Sequence, residues 1–309
     1  MKTKRMVRDA YVGLLREGLL RSSINGEIKT LTVSSGHVAD APLLTRILSY
    51  YWAKLHKFPN LRNPIGLNDR IQWCKVFDQS EQAAVVCDKL AFKSWVSDRI
   101  GGRYNAETLF FTDDLADFKR RLNRVKGSIF VKGNADSGST RLVNPNYWRP
   151  FLMKLWFEEC ISYKYGEISG EWGYQSAQQG VLAEAPLAGA WATDYKFICV
   201  DGEPRVCHVI FGRPDNIHQT IIDMEQINTG ISIYAAYRQA SSFEKISLKV
   251  WDEMVAVSKA LSANFRLCRV DLYVVEGCVY VGEVTLWPQS GTYRGSGQLK
   301  LEQFIAFDC

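Results

Sequence analysis

Residues 267–286, LCRVDLYVVEGCVYVGEVTL, alternate apolar and polar side chains on both sides of a Glu-Gly-Cys stretch, and this constrains the chain more than any other feature. Alternation with a period of two marks a strand with one buried face, and two such runs about a glycine make an antiparallel hairpin. With Glu276-Gly277-Cys278 as a three-residue loop, the glycine supplying the positive φ, Val275 pairs with Val279. Asp271 then stands opposite Glu283 and Arg269 opposite Thr285. Arg269, Asp271, Glu283 and Thr285 share one face, while Val270, Leu272, Val274, Tyr280 and Val284 share the other. A two-residue turn would split Asp271 and Glu283 between the faces.

Two directly opposed carboxylates, about 5 Å apart at Cβ, repel unless one is protonated or a cation lies between them. Oxygen-only ligands suit Mg²⁺, which takes one or two carboxylates and completes its shell with water and phosphate oxygens. A solvated face on which Arg269 neutralises the pair satisfies the same charges, and spacing alone leaves both arrangements open.

The rest of the chain reads as helices first and strands later. Residues 42–57 and 67–77 carry apolar residues at three-to-four spacing, and Asp88 reads as the N-cap of a helix over 89–100 that ends at Gly101-Gly102. A short strand at 108–112, helices over 114–124 and 146–164, and strands at 180–186, 194–200, 204–211 and 218–224 follow, before a helix over 247–263 and the closing hairpin. Asp201-Gly202 is a hairpin turn that sets Cys199 across from Cys207. This is an α+β pattern with mainly antiparallel sheets, not the βα alternation of a doubly wound fold.

In SIFVKGNADSGSTRLV, residues 128–143, Lys132 ends an apolar strand and small polar residues follow, whose backbone N–H groups can wrap an anion. The order is not that of a Walker loop, because the lysine precedes the glycines and a strand follows. Read alone, the stretch fits a hairpin with an exposed lysine as well as a phosphate loop.

Composition excludes several classes. A net charge of +5 over 309 residues suits an anionic ligand but lacks the concentrated charge of a nucleic-acid binder. Eight cysteines without a C-x-x-C pair fit reduced core thiols in the cytoplasm. No apolar run approaches the roughly 18 residues of a membrane span, and no secretory signal is evident. Val7, Tyr11, Leu14, Leu15 and Leu19 form an N-terminal stripe flanked by lysine and arginine, which fits either a helix packed on its own domain or peripheral contact with a membrane.

The ordered set LNDRIQW, DKLAFKSWV, FVKGNADSG, EWGYQSAQQGVLAEAPL, DYKFICVDG, RVDLY and GEVTLWPQSG, from Leu67 to Gly291, resembles the ATP-grasp superfamily, and within it the TupA-like branch associated with teichuronopeptide and capsular polysaccharide biosynthesis. The resemblance implies an ATP-grasp fold of two α+β lobes holding ATP between antiparallel sheets. The expected divisions are a helical N-terminal region over 1–87, a lid lobe over 88–184 and a metal-binding lobe over 185–309. It implies that Lys89 and Lys132 hold ATP phosphates, with Ser137, Gly138 and Ser139 in the loop that closes over them. Glu184 matches the hinge that meets adenine and ribose, and Lys196 joins the nucleotide-binding set. Asp271 and Glu283 match Mg²⁺ ligands, with Thr285 where many relatives carry asparagine. Arg269, and Lys132 with it, match the catalytic cations. Asp136 is a departure, since it sets a negative charge where phosphates would come. The implied reaction joins a carboxylate, such as a uronic acid, to an amine or amino acid through an acyl phosphate. A kinase on the same fold and a non-catalytic ATP- or sugar-binding module are the alternatives.

Overall fold

The computed structural model describes residues 10–15, 18, 20–35, 40–187 and 192–308. Val7, Leu19 and most of the N-terminal cations lie outside the described residues. Of the remainder of that stripe, Leu15 is buried against Leu20, Ile24 and Leu48, whereas Tyr11 is 44% and Leu14 75% exposed. No helix among the described residues is long and apolar enough to cross a membrane.

Two sheets organise the chain. Strands β1 (Thr108–Thr112), β2 (Ile129–Gly133), β3 (Arg141–Val143) and β4 (Val181–Glu184) form an antiparallel sheet in the order β1-β4-β2-β3. Helices Leu115–Leu122 and Pro150–Ser162 contribute Phe118, Leu122, Met153, Trp156 and Phe157 to the core they share with Val131 and Val181 of that sheet. The second sheet holds β5 (Asp194–Val200), β6 (Glu203–Phe211), β7 (His218–Ile222), β8 (Arg238–Gln239), β9 (Leu267–Val275) and β10 (Cys278–Thr285). Its order is β10-β9-β5-β6-β7-β8, antiparallel except for the β7–β8 pair. Helix Leu248–Ser262 buries Trp251, Met254, Val257 and Leu261 in the core built on this sheet. The α+β architecture expected from the pattern is the one observed.

Local chemistry sets the element ends. Asp88, in extended backbone, accepts from the N–H groups of Leu90 and Ala91 and starts the Lys89–Ile100 helix, and Gly101 at φ 98° ends it. Such a cap contributes about 1 kcal/mol. The helix expected over 146–164 starts later, because Pro150 at its first turn has no N–H to give and suits that position. Helix Lys89–Ile100 bridges the two halves. Phe92 and Val96 join the core of the large sheet, while the Lys89 N–H reaches Asn134 O in the loop after β2.

The terminal hairpin differs from expectation in its turn. The loop is two residues, Glu276 at φ 51° and Gly277 at φ 75°, and Cys278 pairs with Val275. Both central residues are left-handed, as the right-handed twist of the strands favours in a tight turn. A bulge then restores the predicted site. Val281 faces Leu272, Gly282 is the extra residue, and Glu283 faces Asp271 with Thr285 opposite Arg269. Only glycine fits at the bulge, since a Cβ on Gly282 would lie 2.6 Å from Tyr273 Cε2. The correction reaches Tyr280, which pairs with Tyr273 on the polar face, while Val279 and Val281 join the apolar one. A second irregularity, between Ile198 and Cys199, sets Cys207 opposite Phe197 and Cys199 opposite Cys268 instead of facing the two thiols across the turn.

Candidate active site

A cavity of about 290 Å³ lies between the two sheets, and the helix that starts at Lys89 forms one of its walls. Five cations line it (Lys89, Lys93, Lys132, Lys196 and Arg213) against four carboxylates (Glu184, Asp194, Asp271 and Glu283). Arg269 lies behind the wall, bonded to the last two. The excess of positive charge suits a polyanion.

At the small sheet, Lys132 on β2 and Glu184 on β4 occupy diagonal positions of one face, with Lys132 Nζ 2.5 Å from Glu184 Oε2. Lys93, one helical turn after Lys89, reaches the other oxygen at 2.6 Å and the Ala106 carbonyl at 2.6 Å. Burial alone would raise the Glu184 carboxyl, but the two lysines outweigh it and hold it below the ordinary range. Burial lowers the Lys93 ammonium, with Glu184 pulling the other way.

The loop after β2 is stapled at its base and open at its tip. Asp88 Oδ1 accepts from Asn134 Nδ2 at 2.8 Å, and Asn134 Oδ1 accepts from the Leu90 N–H at 2.8 Å. Lys89 Nζ donates to the carbonyls of Gly133 at 2.7 Å, Asn134 at 3.2 Å, and Asp136. Ser137 and Gly138, exposed at the tip with Gly138 at φ 85°, line the cavity. Ser139 does not. Its hydroxyl donates to Asp136 Oδ1 at 2.6 Å and accepts from the Gly133 N–H at 2.8 Å, inside the loop. Asp136 is thereby explained: its carboxylate, 2% exposed, turns inward against Gly133, where a Cβ would lie 2.6 Å from Oδ2, and 3.7 Å from Lys89 Nζ. Its charge braces the loop and faces away from the space a phosphate would enter.

On the large sheet, adjacent register positions bring Lys196 of β5 beside Asp271 of β9. Lys196 Nζ pairs with Asp271 Oδ2, and Arg269 clasps the same carboxylate through Nε and Nη2, each at 2.6 Å. The guanidinium also donates to Glu283 Oε1 at 3.1 Å and Thr285 Oγ1 at 3.3 Å, and Thr285 Oγ1 donates to Glu283 Oε1 at 3.0 Å. Burial would raise the Asp271 carboxyl, but Arg269 and Lys196 hold it below the ordinary range, and burial of Lys196 is likewise outweighed by Asp271 and Asp194. Asp194 in turn pairs with Arg213 at 3.0 Å. Thus Arg269 stands between the opposed carboxylates, one of the two arrangements that charge allowed.

Among the described residues no three His, Cys, Asp or Glu side chains converge on one point. The oxygen set of Asp271, Glu283 and Thr285 still fits a magnesium ion that keeps water and phosphate ligands. Glu283, 42% exposed, is the open member, whereas Asp271 already serves two cations.

The description of the TupA-like ATP-grasp family matches residues 69–298, which take in the loop after β2, the Lys132–Glu184 pair and the whole terminal hairpin. The chain belongs to the TupA-like ATP-grasp family. Solved structures to which the chain is similar include the D-alanine–D-alanine ligase of Helicobacter pylori, at 15% identity and TM-score 0.42 over 72% of this chain and 62% of that one. The corresponding ligase of Bacillus anthracis, complexed with ATP, stands at 14% identity and TM-score 0.38 over 65% and 54%. The ATP-grasp ligase PsnB, complexed with a phosphomimetic precursor variant, Mg and ADP, stands at 15% identity and TM-score 0.37 over 67% and 51%. The chain therefore spans about half the length of these last two. No curated protein matches the sequence.

Within this ATP-grasp chain, Lys89, Lys132, Ser137, Gly138, Glu184, Lys196, Asp271 and Glu283 all line one cavity, while Ser139, Arg269 and Thr285 stand behind its surface. Lys93, Asp194, Arg213 and Tyr273 line it too and were missed by sequence reasoning. Two of them left a signal. Lys93 follows Lys89 by one helical turn, and Asp194 shares with Lys196 the even positions of one strand face.

Proposed function

We propose that this protein is an ATP-dependent carboxylate–amine ligase that works through an acyl phosphate. The observation that carries the reading is the meeting, in one cavity, of the Lys132–Glu184–Lys93 group and the Lys196–Asp271–Arg269–Glu283 group. Phosphoryl transfer asks a protein for position and charge neutralisation more than for covalent chemistry, and both groups supply these.

The nucleotide lies with its base at the Glu184 end and its phosphates under Lys132, Lys89 and the Ser137–Gly138 tip. Asp271 and Glu283, with Thr285, would hold a magnesium ion, which would supply positive charge to neutralise the phosphates. A substrate carboxylate oxygen attacks the γ-phosphorus, and the bond to the departing ADP oxygen breaks. The amine nitrogen then attacks the acyl carbon, phosphate leaves with the carbon–oxygen bond electrons, and the nitrogen loses a proton to solvent. Arg269, behind the cavity wall, holds Asp271 and Glu283 in place and adds positive charge on the side where negative charge develops on the acyl oxygen. In the setting of its family, the carboxylate is a uronic acid of a surface polysaccharide or its precursor, the amine an amino acid or similar compound, and the reaction runs in the cytoplasm, where ATP is supplied.

ADP release by the purified full chain with Mg²⁺, against pooled uronic acids and pooled amines, tests the reading. Turnover that needs both pools and disappears in Lys132→Ala supports it. Turnover with a hydroxyl acceptor alone would turn the assignment to a kinase, and binding without turnover across the pools would leave a binding module.

A further inference from the structure

Three polar side chains of helix Gly66–Phe77 are almost wholly buried, Asn68 at 2%, Gln72 at 1% and Lys75 at 0% exposure, and none lines the cavity described above. Spaced at i, i+4 and i+7, they share one helix face. All three reach the segment that leaves β10. Asn68 Nδ2 donates to the Tyr293 carbonyl at 2.8 Å, and Asn68 Oδ1 accepts the Tyr293 N–H at 2.9 Å. Gln72 Nε2 donates to the carbonyls of Ser290 at 2.7 Å and Gly291 at 3.0 Å. Lys75 Nζ donates to the carbonyls of Ser169 at 2.9 Å and Ser290 at 3.1 Å. Glu171, 3% exposed, completes the cluster by accepting from the hydroxyls of Ser169 at 2.9 Å and Ser290.

The segment is one that needs holding. Gln289 at φ 51° and Ser290 at φ 56° are consecutive left-handed residues with side chains, a conformation that persists only where surroundings impose it. Past this turn comes Tyr293, which with Tyr234 faces the Arg269 guanidinium. Gln289 Nε2 also donates to Tyr234 Oη at 3.3 Å. Lys75 thus bonds to Ser290, and three residues further along the same segment stands Tyr293, held by Asn68 and electrostatically coupled to Arg269.

We infer that Lys75 is a positioning residue, which fixes the strained turn over 287–293 and through it the tyrosine wall around Arg269. The inference rests on the ligase reading for its effect on turnover, but not for the clamp itself. An apolar side chain at position 75 would leave the Ser169 carbonyl without its lysine donor, the Ser290 carbonyl with Gln72 alone, and Glu171 without the cation set against it. The charged group set against Lys75 is Glu171, and burial lowers the ammonium to about 8. The titratable neighbours Tyr165, Tyr174 and Cys87 face Glu171 and are held neutral, each raised by burial first and Glu171 among the further causes. Loss of the clamp on the alkaline side is therefore a property of Lys75.

Hydrogen exchange and steady-state kinetics on the full chain test the inference together. In Lys75→Met, amides over 287–293 should exchange faster than in the wild type while the loop after β2 is unchanged. The kcat of Lys75→Met should fall on the order of tenfold or more with KM for ATP within about twofold, as misplacement of a catalytic group predicts. Lys75→Arg should restore the exchange protection and carry the alkaline limb of the kcat profile to higher pH. Should Lys75→Met not fold, Gln72→Leu gives the same exchange and kcat readouts. Unchanged exchange over 287–293 in a folded variant overturns the clamp. Faster exchange with an unchanged kcat overturns its role in turnover. A wild type without turnover refutes the ligase reading, and the exchange arm still decides the clamp.

Discussion

Asp271 and Glu283 face each other across one hairpin, yet their replacement should have unequal consequences for stability. The Asp271 side chain is 3% exposed and bonded to both Arg269 and Lys196, whereas the Glu283 side chain is 42% exposed and touches Arg269 at the rim. Asp271→Asn keeps the shape but strands two buried cations, and breaking a buried pair on one side costs roughly 3–5 kcal/mol. The asparagine oxygen still accepts one bond, so the lower end, about 3 kcal/mol, is expected, or roughly 6 °C in Tm for a chain of this size. Glu283→Gln should cost less than about 1 kcal/mol, the range of an exposed pair. Because the folded Asp271 carboxyl is held below its ordinary range, its contribution is present above the unfolded value near 4 and is lost as pH falls through the lower folded value. Urea titrations of the wild type and both variants at pH 7 and again below pH 4 measure this. The gap between wild type and Asp271→Asn should narrow at the acid end. Equal destabilisation by the two variants at pH 7 would refute the reasoning.

Three further substitutions probe the rest of the site. Gly282→Ala drives a Cβ to within 2.6 Å of Tyr273, and overpacking of this kind costs about 1–3 kcal/mol; loss of the Glu283–Asp271 register should remove ATP turnover, read by ADP release. Ser139→Ala takes two hydrogen bonds out of the loop after β2, so calorimetry should show ATP binding weakened by about tenfold, with the rest of the loop held by Asn134. Glu184→Gln releases Lys132 and Lys93 from their shared partner, and nucleotide affinity should fall by at least about tenfold; calorimetry showing unchanged affinity would exclude Glu184 from the nucleotide site.

Much of the site was legible because chemistry and strand period coincide along β9, β10 and β2. Arg269, Asp271, Glu283 and Thr285 share a face as the alternation required, although by a two-residue turn plus a bulge at Gly282 instead of a three-residue loop. A bulge leaves no mark in an apolar–polar pattern beyond a glycine, and so Tyr280 was assigned to the wrong face. The inward turn of Asp136 was hidden for a related reason, since the carboxylate finds its partners in Ser139 of its own loop and in Lys89 at the start of a distant helix. The buried row Asn68, Gln72 and Lys75 was invisible in kind. Polar residues at those spacings read as a solvated helix face until the strained backbone they satisfy is in view.

The path of one oxygen atom tests the central claim most directly. With ¹⁸O in the carboxylate substrate, attack on the γ-phosphorus and later loss of phosphate from the acyl carbon must carry one labelled oxygen into inorganic phosphate. The account predicts one ¹⁸O per phosphate released by the wild-type protein, in step with amide formed. Phosphate free of label, or label retained in full by the acyl product, would contradict it.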